Sequence, residues 1–168
     1  PLQLVANIFE AGGSPDDLVN AYRNIPSIAC ACVVIKCRYR VTNNFWTNIN
    51  DQRFAIPGII EMSNLKKLPF NLIYIPFYMP YDHPDYKRAD KKFIQDAWNC
   101  LKAINKNLTD DDLLDSHCNR YRYAQPICSV NFKRKLPPMQ PFNNVYTLDT
   151  TAYYPDDRGI SESIEFGR

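Results

Sequence analysis

Apolar runs separated by polar, proline-containing breaks predict a succession of β-strands. The run over 28–39 is rich in Val, Ile, Cys and Ala and becomes charged only from Lys36, which is typical of a buried central strand emerging into solvent. Shorter runs bounded by Pro, Asn or Asp predict further extended segments over 45–49, 58–62, 71–77, 113–123 and 145–148.

Apolar residues at helical spacing predict a long helix from about Asp90 to Ile104, with a stripe that includes Phe93, Ala97 and Leu101. A second helix is predicted to start at 14–17, with Ser14 as its cap, and to end before Pro26. A capped helical turn is predicted over 109–112. Because strands and helices alternate without a strict repeat, the sequence predicts an α+β fold, a mixed β-sheet with flanking helices.

Composition and charge exclude several classes of protein. The chain has 168 residues, enough for one ordinary domain, and its formal charge of +2 is too small to favour nucleic acid or an anionic membrane surface as a partner. It lacks the roughly 18 consecutive apolar residues that a membrane span needs. We therefore expect a soluble, cytoplasmic protein.

Glycine is scarce, with 5 residues against 13 of proline, and neither G-x-G-x-x-G nor a P-loop sequence occurs. The chain is therefore not expected to bind a nucleotide by itself. It opens at Pro1 without a methionine and stops at Arg168 inside a predicted helix, so we expect it to be part of a longer protein.

The cysteines favour a reducing compartment. Cys30 and Cys32 lie on the same face of one predicted strand, where neighbouring thiols cannot easily adopt disulfide geometry. His83, His117 and Cys118 have none of the spacings typical of zinc ligands, so no metal site is expected. His117 is interpreted as a hydrogen-bonded structural residue, and Cys118 as a small buried one.

The segment over 144–164 predicts a strand, a loop and then a helix that starts near Gly159. Asp149 lies at the end of the predicted strand. A carboxylate at a strand end can accept hydrogen bonds from sugar hydroxyls, and a helix N-terminus can stabilise an anion or a polarised carbonyl. A flat cofactor with a sugar-alcohol arm would use both groups. An ordinary strand–loop–helix unit with an exposed aspartate has the same pattern.

Five motifs in order carry a more specific resemblance. YPDDRG at 154–159 is similar to the C-terminal flavin-binding motif of the FAD-dependent oxidoreductases of the amine oxidase and protoporphyrinogen oxidase superfamily. The other four motifs agree with the same branch of that superfamily: FWTNIND at 45–51, GIIEMSN at 58–64, YMPYDHP at 78–84 and RYRYAQP at 120–126. The resemblance covers the chain from about Ile25 to Arg168.

The resemblance implies the C-terminal part of a flavoenzyme, in which residues 1–140 form a substrate-binding domain and residues 141–168 return to close the FAD site. The N-terminal Rossmann unit of the same chain, which holds the adenosine end of FAD, would be the missing partner. We therefore expect the fragment alone neither to retain FAD nor to be active.

The resemblance also assigns site residues. Asp149, with Thr150 beside it, would bind the ribityl or pyrophosphate region of FAD, although Leu148 stands where many relatives have glycine. The backbone of Gly159, Ile160 and Ser161 would face the flavin ring. Arg158 has two interpretations: it neutralises the pyrophosphate or the reduced ring, or it pairs with Asp156 or Asp157 within the loop.

Arg120 and Arg122 alternate on an extended segment and therefore share one face. Their guanidinium groups could hold a phosphate or carboxylate of a small-molecule substrate, with Tyr123 also assigned to the substrate. The alternative is that these arginines bind carboxylates within the domain, such as Asp82 or Asp115.

Three functions compete at this point. By analogy of fold, the favoured function is abstraction of a hydride from a C–N or C–C bond by a flavin. A second is a sugar rearrangement like that of the UDP-galactopyranose mutases. The third is a non-catalytic binding or assembly module. In the fragment, the apolar surface meant for the Rossmann unit would be exposed or covered by a second copy in a homodimer.

Overall fold

The computed structural model describes residues 1–156 and 158–168. Within them, the helices are α1 (Leu2–Ala11), α2 (Asp16–Arg23), α3 (Asp90–Ile104), α4 (Phe132–Lys135) and α5 (Ile160–Phe166). The strands are β1 (Ser27–Cys37), β2 (Trp46–Asn48), β3 (Gly58–Glu61), β4 (Asn71–Met79) and β5 (Leu113–Pro126). Short 3-10 helices span Met62–Asn64, Pro84–Lys87, Asp110–Asp112 and Thr150–Tyr153.

The strands form one sheet in the order β2-β3-β4-β1-β5. β1 and β4 pair antiparallel over nine residues, from Ala29 opposite Met79 to Cys37 opposite Asn71. The described registers of β2 with β3 and of β3 with β4 are antiparallel too. The predicted α+β class is confirmed, while every register described is antiparallel where a mixed sheet was expected.

Pro76 lies in the middle of β4, where it contributes no backbone N–H donor to the sheet. β3 pairs with β4 at Ile60 opposite Tyr74 and at Glu61 opposite Ile73, and the described register ends there. β2 remains paired with β3 as far as Gly58. The β2–β3 hairpin therefore leaves β4 just before the proline.

One face of the sheet packs against α3. Alternate residues of β1, from Ala31 to Cys37, are fully buried together with Phe93 and Leu101 of α3. This confirms both the predicted central strand and the apolar stripe of the helix. Burying one such large apolar side chain stabilises the fold by about 1.5–3 kcal/mol.

The chain divides into two compact units. The sheet unit comprises Ala29–Arg122, and the terminal unit comprises Pro1–Ile28 together with Tyr123–Arg168. The functional division near residue 140 is a different boundary, and it stays a prediction.

The terminal unit contains a helix, α1, that the sequence analysis missed. Leu2, Ala6 and Phe9 are buried on one side of it, at helical spacing, and pack with α2. The ring of Phe9 meets the ring of Tyr22 edge to face, with centroids 5.0 Å apart. The same spacing in the sequence could have predicted this helix.

Two local predictions are wrong. Residues 145–148 do not form a strand: Phe142 and Val145 make an isolated bridge, and Thr147 donates its N–H to the carbonyl of Met139 at 2.8 Å. Ser14 does not cap α2, whose N-cap is Pro15; the N–H of Ser14 donates to the carbonyl of Phe9 at the end of α1.

The capped turn at 109–112 is confirmed, with a reciprocal capping box between Thr109 and Asp112. None of the described helices has both the length and the apolar character that crossing a membrane would require. Throughout the described residues, the cysteines are unpaired and His, Cys, Asp and Glu side chains do not cluster in threes able to hold a metal ion.

Candidate functional site

Asp149 has both carboxylate oxygens engaged by backbone N–H groups of the terminal unit. Oδ2 accepts from Leu2 at 2.8 Å, and Oδ1 accepts from Thr151 at 2.8 Å. The second bond caps the 3-10 helix Thr150–Tyr153. The carboxylate predicted to bind FAD therefore joins the start of α1 to the start of this 3-10 helix.

Thr150 is exposed and lies near three other predicted site residues. With Arg158 it lines a small cavity of about 130 Å³. With Asp149 and Tyr123 it lines a second one, of about 290 Å³. The terminal unit thus brings together one residue assigned to the substrate and three assigned to the cofactor.

The two interpretations of Arg158 both remain open. Its side chain is exposed and lines the smaller cavity together with Asp156. Asp157, the other carboxylate proposed as its partner, lies outside the described residues.

Gly159 immediately precedes α5, which confirms the predicted helix start. A Cβ at Gly159 would collide with Oε2 of Glu162, so the carboxylate of Glu162 lies back over the beginning of the helix. Ser163 donates its hydroxyl to the carbonyl of Gly159 at 2.8 Å. Ile160 is 81% exposed, and Ser161 is exposed beside it.

Asp149 and the start of α5 make their described hydrogen bonds within the terminal unit. The oxygens of Asp149 are used by backbone donors, and the carboxylate of Glu162 lies over the start of α5. The assignment of Asp149, Thr150, Arg158 and 159–161 to FAD therefore stays a prediction, and no chemical step is derived from it.

Arg120 is held by three acceptors of the sheet unit. Its Nε donates to the carbonyl of Tyr86 at 2.9 Å, and its terminal nitrogens donate to the carbonyl of Arg88 and to the carboxylate of Asp90. Arg120 therefore binds a carboxylate within the domain, which is the alternative that the sequence analysis left open. The carboxylate is that of Asp90, not of Asp82 or Asp115. The guanidinium fork fixes the turn before α3 to β5.

Arg122 shares the face of Arg120 as predicted, and its guanidinium carbon lies 4.2 Å from the ring centroid of Tyr81. The two arginines therefore contact different partners. Tyr123 belongs to the terminal unit and is half-buried.

The remaining candidate nucleophiles and bases have structural roles. His83 caps the 3-10 helix Pro84–Lys87, because its Nδ1 accepts from the N–H of Asp85 at 3.2 Å. His117 is hydrogen-bonded to Asn119 through Nε2 at 3.0 Å. Burial raises the pKa of the Cys118 thiol and, more strongly, that of Cys30, to about 12. These thiols are neutral at physiological pH.

The sheet face away from α3 carries a row of apolar side chains that the sequence analysis missed. The registers place Trp46 opposite Ile60, Ile60 opposite Tyr74, and Tyr74 opposite Val34, so the four share one face. We call these four residues the open-face row. Trp46 is 52% exposed, and Tyr78, two residues after Pro76 on the same face, is 39% exposed. These side chains become neighbours only through the strand register, and the register cannot be read from the sequence.

Comparison with known proteins supports the fold and no more. No family model matches the sequence, and no curated protein matches it. Among solved structures, the chain is similar to one named "Putative protoporphyrinogen oxidase", from Exiguobacterium sp. 255-15, with a TM-score of 0.57 and 11% sequence identity. The similarity covers 68% of this chain and 26% of the other, so the chain spans about a quarter of that structure's length.

Proposed function

We propose that this chain is the substrate-binding part of a flavin-dependent oxidoreductase. The observation that carries the proposal is the shared fold with the Exiguobacterium protein over 68% of this chain. The resemblance of the five motifs over 45–159 to the amine oxidase and protoporphyrinogen oxidase superfamily leads to the same proposal. By analogy of fold, the reaction is oxidation of a small molecule.

In this proposal the open-face row forms one wall of the substrate site. Aromatic and aliphatic side chains that are partly exposed supply the apolar contact area typical of small-molecule sites. The flavin, held by sequence outside these 168 residues, would form the opposite wall and accept the hydride when bound. The neutral thiol of Cys32, opposite Pro76 on the same face, is not a nucleophile in this proposal.

The surface of the terminal unit supports the idea that a further part of the protein packs against it. Several large apolar side chains are exposed there. They include Ile8, Val130, Met139, Tyr146, Ile160 and Ile164. We propose the Rossmann part of the same chain as their natural partner and a second copy as the substitute when that part is absent.

The test is a visible absorption spectrum of the protein purified with any sequence that precedes Pro1 in its gene, compared with that of the 168 residues alone. We expect flavin bands in the longer protein and a colourless fragment. Arg158→Ala in the longer protein should then lower the flavin content, while Arg134→Ala, an exposed cation of α4, should not.

Two outcomes would change the proposal. A colourless longer protein that cannot be reconstituted with FAD would leave the non-catalytic binding module as the function. A flavin-bound protein that turns over a sugar nucleotide without consuming an electron acceptor would favour the mutase-like reaction.

A further inference from the structure

A cavity of about 260 Å³ lies in the sheet unit on the side of α3. Its walls come from the β2–β3 connection at 53–56, from the end of β4 after Pro76, and from the helical segments at 85–88 and 96–99. The cavity therefore occupies the gap that opens where the β2–β3 hairpin leaves β4. It is separate from the open-face row, which lies on the other face of the sheet.

The floor of the cavity is apolar. Phe54, Ile56, Phe77 and Met79 line it, and Ile56 and Phe77 belong to the buried core that α3 covers. Phe54 and Met79 are half-buried and so present part of their surface to the cavity. A ligand must have one face of C–H groups to use this floor.

The rim of the cavity is polar but carries no net formal charge. Two guanidinium groups, of Arg53 and Arg88, stand with two carboxylates, of Asp85 and Asp96, and with the amide of Asn99. Hydrogen-bond donors and acceptors are therefore both present around one opening.

The strongest cations of the rim are already paired. Arg88 donates to Asp96 at 2.9 Å, and Arg53 is held by the neighbouring carboxylate of Asp51, with Nε 3.0 Å from both oxygens. An ionic ligand would have to displace these partners, whereas a neutral ligand with hydroxyl groups would not. The rim therefore favours an uncharged ligand.

The Nε of Arg88 is buried and lacks a hydrogen-bond acceptor among the described residues. The guanidinium is stacked 4.2 Å above the ring of Phe93, which fixes its position at the cavity wall. Because the Nε is shielded, a ligand oxygen in the cavity would meet the terminal nitrogens of this guanidinium.

From these features we propose that the cavity binds a neutral pyranose, a monosaccharide unit. Hydroxyl groups are both donors and acceptors, which matches carboxylate and amide oxygens on Asp85, Asp96 and Asn99 and guanidinium donors on Arg88. The C–H face of the ring matches the floor of Phe54 and Met79. This binding does not depend on the proposed flavoenzyme function, and the flavin spectrum has no bearing on it.

The test uses the 168-residue chain, isotopically labelled, titrated with methyl glucopyranoside, methyl galactopyranoside and methyl mannopyranoside and followed by amide chemical shifts. We expect at least one of them to bind with a Kd of about 1 mM, with shifts concentrated at 53–56, 85–88 and 96–99. Asp85→Ala and Asn99→Ala, both at exposed positions, should each weaken binding about fivefold or more. Asp111→Ala, an exposed carboxylate of the same unit outside the cavity, should leave the affinity unchanged.

The proposal is overturned if none of the three glycosides shifts these amides at 50-fold the expected Kd, roughly 50 mM. It is also overturned if both cavity variants bind as tightly as the unmodified chain. Butyrate and butylamine serve as the charged competitors. Binding of either with the same sensitivity to Asp85→Ala, in the absence of glycoside binding, assigns the cavity to a charged ligand instead.

Discussion

The carboxylate of Asp149 accepts a hydrogen bond from the backbone N–H of Leu2, 147 positions earlier in the chain. The other oxygen of the same carboxylate caps the 3-10 helix that follows it. One side chain thus ties the first helix of the terminal unit to its last segment, so the residue most strongly implicated in cofactor binding has a structural role in this chain.

Asp149→Ala should lower the free energy of unfolding by about 1–3 kcal/mol, because two backbone donors lose their acceptor together. Urea unfolding followed by circular dichroism measures the change. Asp149→Asn keeps one acceptor oxygen and should lose less. Thr150→Ala, at the exposed neighbouring position, is the matched control. Unchanged stability in Asp149→Ala would show that the two bonds do not hold in solution.

Arg120→Met should destabilise the chain by about 2 kcal/mol, since two backbone carbonyls and Asp90 lose their donor in a partly exposed setting. Arg120→Lys should restore little of this stability, because a single ammonium group cannot reach three acceptors as a guanidinium fork does. Urea midpoints of the two variants test the structural role. If Arg120→Lys is as stable as the unmodified chain, Arg120 is again a candidate for substrate binding.

Glu61 is fully buried and accepts hydrogen bonds from the backbone N–H groups of Val41 and Thr42, at 3.0 and 2.9 Å. Glu61→Gln should cost about 3 kcal/mol, because its amide nitrogen would face a donor where an acceptor stood. Thermal unfolding of this variant beside Glu165→Gln, an exposed position, measures the difference. Equal melting temperatures would contradict the buried network.

The cysteines should differ sharply in reactivity. Cys128 is exposed, whereas burial raises the pKa of Cys30 to about 12 and that of Cys100 to about 11. Ellman's reagent at pH 8 should therefore modify Cys128 first in the folded chain and all 6 thiols in denaturant. Cys128→Ser should abolish the fast phase, and a fast phase that survives this change would contradict the assignment.

The buried thiols of Cys30 and Cys100 make stability depend on pH. Their pKa values are higher in the folded chain than the value of about 8.5 for an unfolded cysteine, so the folded state binds more protons above that pH. The stabilisation is present in full below about pH 8.5 and is lost as the pH rises towards the folded values. The urea midpoint should be lower at pH 10 than at pH 8. In a Cys30→Ala variant the midpoint should decrease less between these two pH values.

The sequence predicted elements well where a single pattern determines the outcome. The apolar stripe predicted a helix from Asp90 to Ile104, and α3 spans these residues. The prediction held because the residues at helical spacing are the ones buried on one face. The segment 145–148 has strand-forming residues but makes only an isolated bridge at Val145. A strand needs a pairing partner, and the sequence does not specify one.

The candidate site was harder to predict for the same reason. Alternation correctly placed Arg120 and Arg122 on one face, yet their partners, Asp90 and the ring of Tyr81, come from distant parts of the chain. The open-face row and the cavity beside α3 depend on strand register and on the divergence of a hairpin, which are properties of the assembled sheet.

Pro76 is expected to divide β4 into two segments that differ in hydrogen exchange. From Asn71 to Tyr74 the strand lies beside β1 and reaches the end of the β3 ladder, whereas after the proline the described registers give it β1 alone. Amide protection reports the free energy of the opening that exposes each amide, and pairing on both sides raises that free energy. The boundary between slowly and rapidly exchanging amides therefore falls inside one continuous strand, at the residue that has no amide proton of its own.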